Sequence, residues 1–143
     1  MRKIIFLLLL VNSCLQSLAQ LKTKFETSNA EQTPTYQEII NWWQKLDASS
    51  GKVKLLKMGM TDAGFPLHLA VIANNGDHNF DNIRKNKKSV ILINNGIHTG
   101  EPDGIDASML LARDIVQNNI KLADHLVLAI IPVYNIGGCS SVR

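Results

Sequence analysis

The chain has 143 residues, 45% of them hydrophobic and 19% charged, a balance that suits one modest globular domain and excludes intrinsic disorder. Its 15 basic and 12 acidic residues give a formal charge of +3. With no broad basic face and no stacking aromatics beside it, that excess argues against a nucleic acid partner.

The N-terminus is read first, as a targeting segment. Arg2 and Lys3 form a positive start, Ile4 to Val11 is an unbroken apolar run, and Ser17-Leu18-Ala19 supplies small residues at the positions a signal peptidase reads. This pattern predicts a secretory signal peptide at residues 1–19, cut after Ala19, and hence a secreted or periplasmic protein. The apolar run is too short for a stable membrane span. A lipoprotein box ending at Cys14 is the lesser alternative, because Asn12 fits that pattern poorly. Without Arg2 and Lys3, the mature chain is close to neutral. Cleavage also removes Cys14, which leaves Cys139 alone and precludes an internal disulfide.

Residues 20–34 are polar and predict a loose leader. Thr33-Pro34-Thr35 then announces a helix: Thr35 and Glu38 have capping-box spacing, and Tyr36, Ile39, Ile40 and Trp43 recur at helical intervals. Ser49-Ser50-Gly51 should end it. Trp42 and Trp43 could form a binding platform, but the periodicity favours Trp43 as core. A hairpin follows, with strands at Val53 to Met58 and Leu67 to Ala73 around the turn residues Thr61-Asp62-Ala63-Gly64. His68, within a strand, reads as a pleat-facing side chain. Asn74 to Lys88 is polar and predicts a surface connection, with His78 in it lacking a companion at ligand spacing.

The pattern then changes. Val90-Ile91-Leu92-Ile93 is continuously apolar, as in a strand buried on both faces, and Leu126 to Ile131 repeats that pattern. Between them, Ile105, Ser108, Met109, Ala112, Ile115 and Val116 make one helical face, with Asp106, Arg113, Asp114 and Gln117 opposite. A strand, a helix and a second buried strand predict a βαβ unit. The expected fold class is α/β: a hairpin feeding a mixed sheet that becomes parallel at its centre, flanked by helices.

The chemistry concentrates in Asn94-Asn95-Gly96-Ile97-His98-Thr99-Gly100-Glu101-Pro102-Asp103-Gly104, just past a buried strand. In open α/β sheets, ligands bind at that end of the strands. Imidazole nitrogen and carboxylate oxygen are both zinc donors, and a His-x-x-Glu pair across a short turn can bring both to one ion. Glu101 would sit at a helix start, where the dipole favours the charged carboxylate that a metal requires. The motif alone is a weak signal. Spacing and placement leave two readings open: metal ligands, or a His98 that caps the turn and a Glu101 that favours a helix start. No Gly-x-Ser-x-Gly elbow, phosphate-binding glycine loop or CxxC pair offers another chemistry.

The stretch from Ile91 to Ile115 resembles the first zinc-ligand segment of the zinc-dependent metallocarboxypeptidases, with His98 and Glu101 on its two ligand positions. Gly64-Phe65-Pro66-Leu67 resembles that family's strand entry. Ile130-Ile131-Pro132-Val133-Tyr134-Asn135 resembles its next core strand and the Asn beyond it. The likeness covers about Thr35 to Gly138 and implies the N-terminal portion of a zinc-carboxypeptidase-like sheet at residues 35–143. It further implies Zn2+ held by this His, this Glu and a later His, and a peptide substrate cut at its C-terminal residue by a zinc-activated water. A distant Glu would act as general base.

Those later parts find no match here. No His follows His125, which precedes a core strand, and no late Glu is present. After Cys139 the chain reads Ser140-Ser141-Val142-Arg143, where the family runs into an Asn-Arg pair, so Arg143 is not carried over as a substrate arginine. The expectation is a truncated, inactive form that binds zinc weakly. The alternatives are an amidohydrolase or deacylase on the same scaffold, or a non-catalytic secreted remnant or binding module.

Overall fold

The computed structural model describes residues 21–98 and 100–141. The predicted signal peptide, Cys14 and Arg143 lie outside those residues, as does the side chain of Cys139.

The segment expected to be a loose leader is instead folded against the domain. Helix α1 (Lys24–Thr27) is a single turn closed by a capping box, in which Thr23 N–H donates to Glu26 Oε2 at 2.8 Å and Glu26 N–H to Thr23 Oγ1 at 3.2 Å. Thr23 is buried. Its polarity misled because the polar groups are spent on local caps and on one partner much later in the chain, described below.

Helix α2 (Tyr36–Ser49) begins with the predicted capping box of Thr35 and Glu38. Its buried residues are Tyr36, Ile39, Ile40, Trp42, Trp43 and Leu46, one face of a helix. Both tryptophans are inside, packed edge to face with centroids 5.4 Å apart, so neither is a binding platform.

Strands β1 (Val53–Met60) and β2 (Pro66–Ala73) form the predicted antiparallel hairpin. A register shift between Lys57 and Gly59 leaves Met58 as the extra residue of a bulge, and Gly59 there has φ +143°. The polar connection that follows contains an unanticipated helix, α3 (Phe80–Lys85), capped by Asn79 Oδ1 accepting from the amides of Asp81 and Asn82. Only Ile83 of this helix is buried, and it packs with Val71, Ala73 and Val127. One apolar residue in so short a helix leaves no periodicity to read.

Strand β3 (Ser89–Asn94), helix α4 (Asp103–Val116) and strand β4 (Leu126–Ile131) make the predicted βαβ unit, with β3 and β4 parallel. A final helix, α5 (Ile136–Ser141), follows. The sheet order is β1-β2-β4-β3, with β4 antiparallel to β2. The parallel pair therefore lies at one edge of the described sheet, not at its centre. β4 is buried as expected, whereas β3 is not: Val90 and Ile91 are each 46% exposed and Leu92 is 61% exposed. The apolar run marks a strand, but the edge position leaves its faces largely uncovered, and only Ile93 packs against the main core. That core joins α2 and α4 to the sheet through Trp43, Leu46, Ile72, Met109, Ile115 and Ile130.

Candidate metal centre

The two parallel strands end together, and the turn after β3 is held there by main-chain bonds. Asn95 N–H donates to Ile131 O at 3.2 Å, Tyr134 N–H to Asn95 O at 2.8 Å, and Asn135 N–H to Gly96 O at 2.9 Å. Gly96 takes φ +61°, and a Cβ there would meet Val133 Cγ1 at 3.2 Å, so both the turn and its packing call for glycine. Pro102 then caps α4 without a side-chain bond, and the amides of Ile105 and Asp106 donate to its carbonyl.

This turn brings the predicted pair together. His98 Nδ1 lies 3.1 Å from Glu101 Oε2, and each side chain is 68% exposed. The donor types suit zinc, and the separation is a few tenths of an ångström below the roughly 3.4 Å between two ligand atoms of a tetrahedral site with bonds near 2.1 Å. The residues present thus fit two corners of such a site. Beside them is a cleft of about 240 Å3 bounded by His98, Gly100, Glu101 and Ile105 on one side and by Thr33, Pro34 and Thr35 on the other. The participation of residues 33–35 had no signal in the sequence, since it depends on how the N-terminal segment docks.

The other histidines stay apart from this pair. His125 lies beside Ser89 at the opposite end of β3 and β4, which puts it about 20 Å along the strands at 3.3 Å per residue. His78 Nε2 is 3.0 Å from Lys52 O. His68 is buried, with Nδ1 3.2 Å from Tyr36 Oη, whose own proton goes to Pro66 O at 2.6 Å. Burial, followed by the nearby charge of Lys57, lowers its pKa and favours the neutral ring. Among the described residues, no group of three or more His, Cys, Asp or Glu converges as a metal site.

A family model for zinc carboxypeptidases matches residues 39–143. The chain belongs to the zinc carboxypeptidase family. Its fold is similar to that of bovine thrombin-activatable fibrinolysis inhibitor, solved in complex with a tick carboxypeptidase inhibitor, at 21% identity and TM-score 0.60 over 76% of this chain and 33% of that one. Another structure of thrombin-activatable fibrinolysis inhibitor matches at 17% identity and TM-score 0.61, over 90% of this chain and 32% of that one. Carboxypeptidase A from Helicoverpa armigera matches at 18% and 0.60, over 88% and 32%. The chain thus spans about a third of the length of these carboxypeptidase structures. No curated protein sequence matches it. Among the described residues, no helix is long and apolar enough to cross a membrane.

Proposed function

We propose that residues 35–143 carry the first part of a zinc carboxypeptidase centre, in which His98 and Glu101 are two of the protein ligands and the substrate is the C-terminal residue of a peptide. The observation that supports this most is the 3.1 Å approach of His98 Nδ1 to Glu101 Oε2 at the carboxyl end of a parallel strand pair. When bound, zinc supplies a polarised scissile carbonyl and a water acidic enough to attack it. The chain's own part is to hold two donors in place. Gly96 sets the turn, the hydrogen bonds of Tyr134 and Asn135 anchor it to the segment after β4, and Pro102 starts α4 directly after Glu101. Secretion to the periplasm or exterior follows from the signal-like residues 1–19.

Catalysis in this class uses three protein ligands plus an open position, and a base for the water. The described residues supply two ligands and no candidate base. The isolated chain is therefore expected to bind zinc weakly and to hydrolyse no peptide. Titrating it with zinc by calorimetry, alongside the His98 ring resonances of the unsubstituted chain, tests the assignment. Saturable binding at one weak site, lost in His98→Ala and much reduced in Glu101→Gln, is the expected result. Tight stoichiometric binding, or peptidase activity abolished by a chelator, would refute the weak-site, inactive reading.

A further inference from the structure

Beneath the ligand turn lies a buried amide that neither the motif nor the family match assigns. Asn95 is 5% exposed, and Ser108, on the inner face of α4, is 4% exposed. Asn95 Nδ2 donates to Ser108 Oγ at 2.9 Å, while that hydroxyl spends its own proton on Ile105 O at 3.0 Å. The hydroxyl can then only accept, so the residue opposite it must donate, which Asn does and Asp does not. Across from the amide, a Cβ at Gly104 would come within 2.8 Å of Asn95 Oδ1, so the side chain is also wedged against the first turn of α4. The main chain of Asn95 is tied to β4 and the segment after it, through Ile131 O and Tyr134 N–H. One residue therefore fastens three things to each other: the end of β3, the start of α4, and the segment after β4. His98 and Glu101 lie on the only stretch between the first two.

We propose that Asn95 is a positioning residue that sets the spacing of His98 and Glu101 by clamping the start of α4 to the end of β3, with Ser108 as its acceptor and Gly104 as the surface it bears on. This rests on the zinc assignment made above. Two donors on an exposed turn hold an ion only as well as the turn holds them, and partners outside the ligand set commonly change metal affinity by 10- to 100-fold. Asn95→Asp puts a carboxylate against an oxygen that cannot donate to it. Ser108→Ala removes the acceptor alone and leaves the Asn in place.

The test uses the whole chain and zinc as the probe, with the dissociation constant read by calorimetry and stability read from thermal unfolding. Asn95→Asp is expected to weaken zinc binding on the order of 10-fold, and Ser108→Ala a few-fold, at temperatures where both remain folded. Ile39→Val, on the buried face of α2 and outside the ligand turn, should lower the melting temperature and leave zinc affinity unchanged. Wild-type affinity in folded Asn95→Asp overturns the proposal, and so does an equal loss in Ile39→Val. If Asn95→Asp does not fold, Ser108→Ala decides on the same terms. If His98→Ala leaves zinc binding intact, it is the zinc assignment that fails. The clamp is then read without metal, from hydrogen exchange of the Tyr134 and Asn135 amides. These should exchange faster in Ser108→Ala than in Ile39→Val, and equal rates end the proposal.

Discussion

Asp106 sits on α4 with 6% of its surface exposed and with Oδ1 lacking a hydrogen-bond partner among the described residues. Burial, then the charges of Asp103 and Glu26, push its carboxyl above the ordinary value of 3.8. A raised acid binds its proton more tightly in the folded state than in the unfolded one. Its ionisation therefore costs stability in full above the folded pKa, and the cost vanishes below about pH 3.8. Asp106→Asn should stabilise the protein by roughly 1 kcal/mol at pH 7, the lower end of the penalty for a buried unsatisfied group. Melting temperatures compared at pH 7 and pH 3.5 check this, since the gain should fade at the lower pH. The helical pattern had put Asp106 on the outer face, together with Arg113. Both lie on one stripe, where Arg113 is bonded to the docked N-terminal segment, and no spacing within α4 announces that partner. His98 and Glu101 were legible because three residues of local chain suffice to bring them together. Asn95 was not, because an Asn next to a glycine looks the same whether it ends a strand in solvent or braces a buried helix.

At the level of elements, the same docking explains why a polar segment folds at all. Arg113 donates to Glu26 through both terminal nitrogens, at 2.6 and 2.9 Å, and to Leu21 O at 3.1 Å, while Trp42 Nε1–H reaches that same carbonyl at 3.3 Å. The hydrogen bonds from Arg113 are the main reason that Glu26 ionises below its ordinary value of 4.5. A lowered acid stabilises the fold above the unfolded pKa and stops doing so as pH falls through the folded one. Glu26→Gln should therefore cost about 1–3 kcal/mol at pH 7, as expected for hydrogen bonds to a charged group, and little well below pH 4. It should also speed proteolysis between residues 28 and 34, which joins α1 to the wall of the ligand cleft. Helices with a repeating apolar face and strands with turn residues at their ends were visible in the sequence: α2, the hairpin, α4 and β4 all appear where periodicity put them. The elements that escaped, α1, α3 and α5, are too short for a period.

For the molecule as a whole, β3 is the place where composition and surroundings disagree. Val90, Ile91 and Leu92 are largely exposed on the strand that ends the β1-β2-β4-β3 order. An apolar edge with free main-chain groups is a template for pairing with another chain. The purified protein is expected to self-associate with rising concentration, and Leu92→Lys should suppress that association with little effect on melting temperature, because Leu92 is 61% exposed. Sedimentation velocity over a hundredfold concentration range checks both. Continuous apolar runs at 90–93 and 126–131 identified two strands equally well. Only the sheet order separates the covered one from the bare one, and strand order is a property of long-range pairing that local composition does not encode.

The ion pair between Glu26 and Arg113 also has a consequence in time. Its partners are 87 residues apart in the chain, whereas the β1–β2 hairpin closes through near neighbours. Closing the longer loop costs more entropy and must wait until Arg113 has been made. The residues synthesised early thus find their place late. Until they do, the wall that residues 33–35 give the ligand cleft is missing.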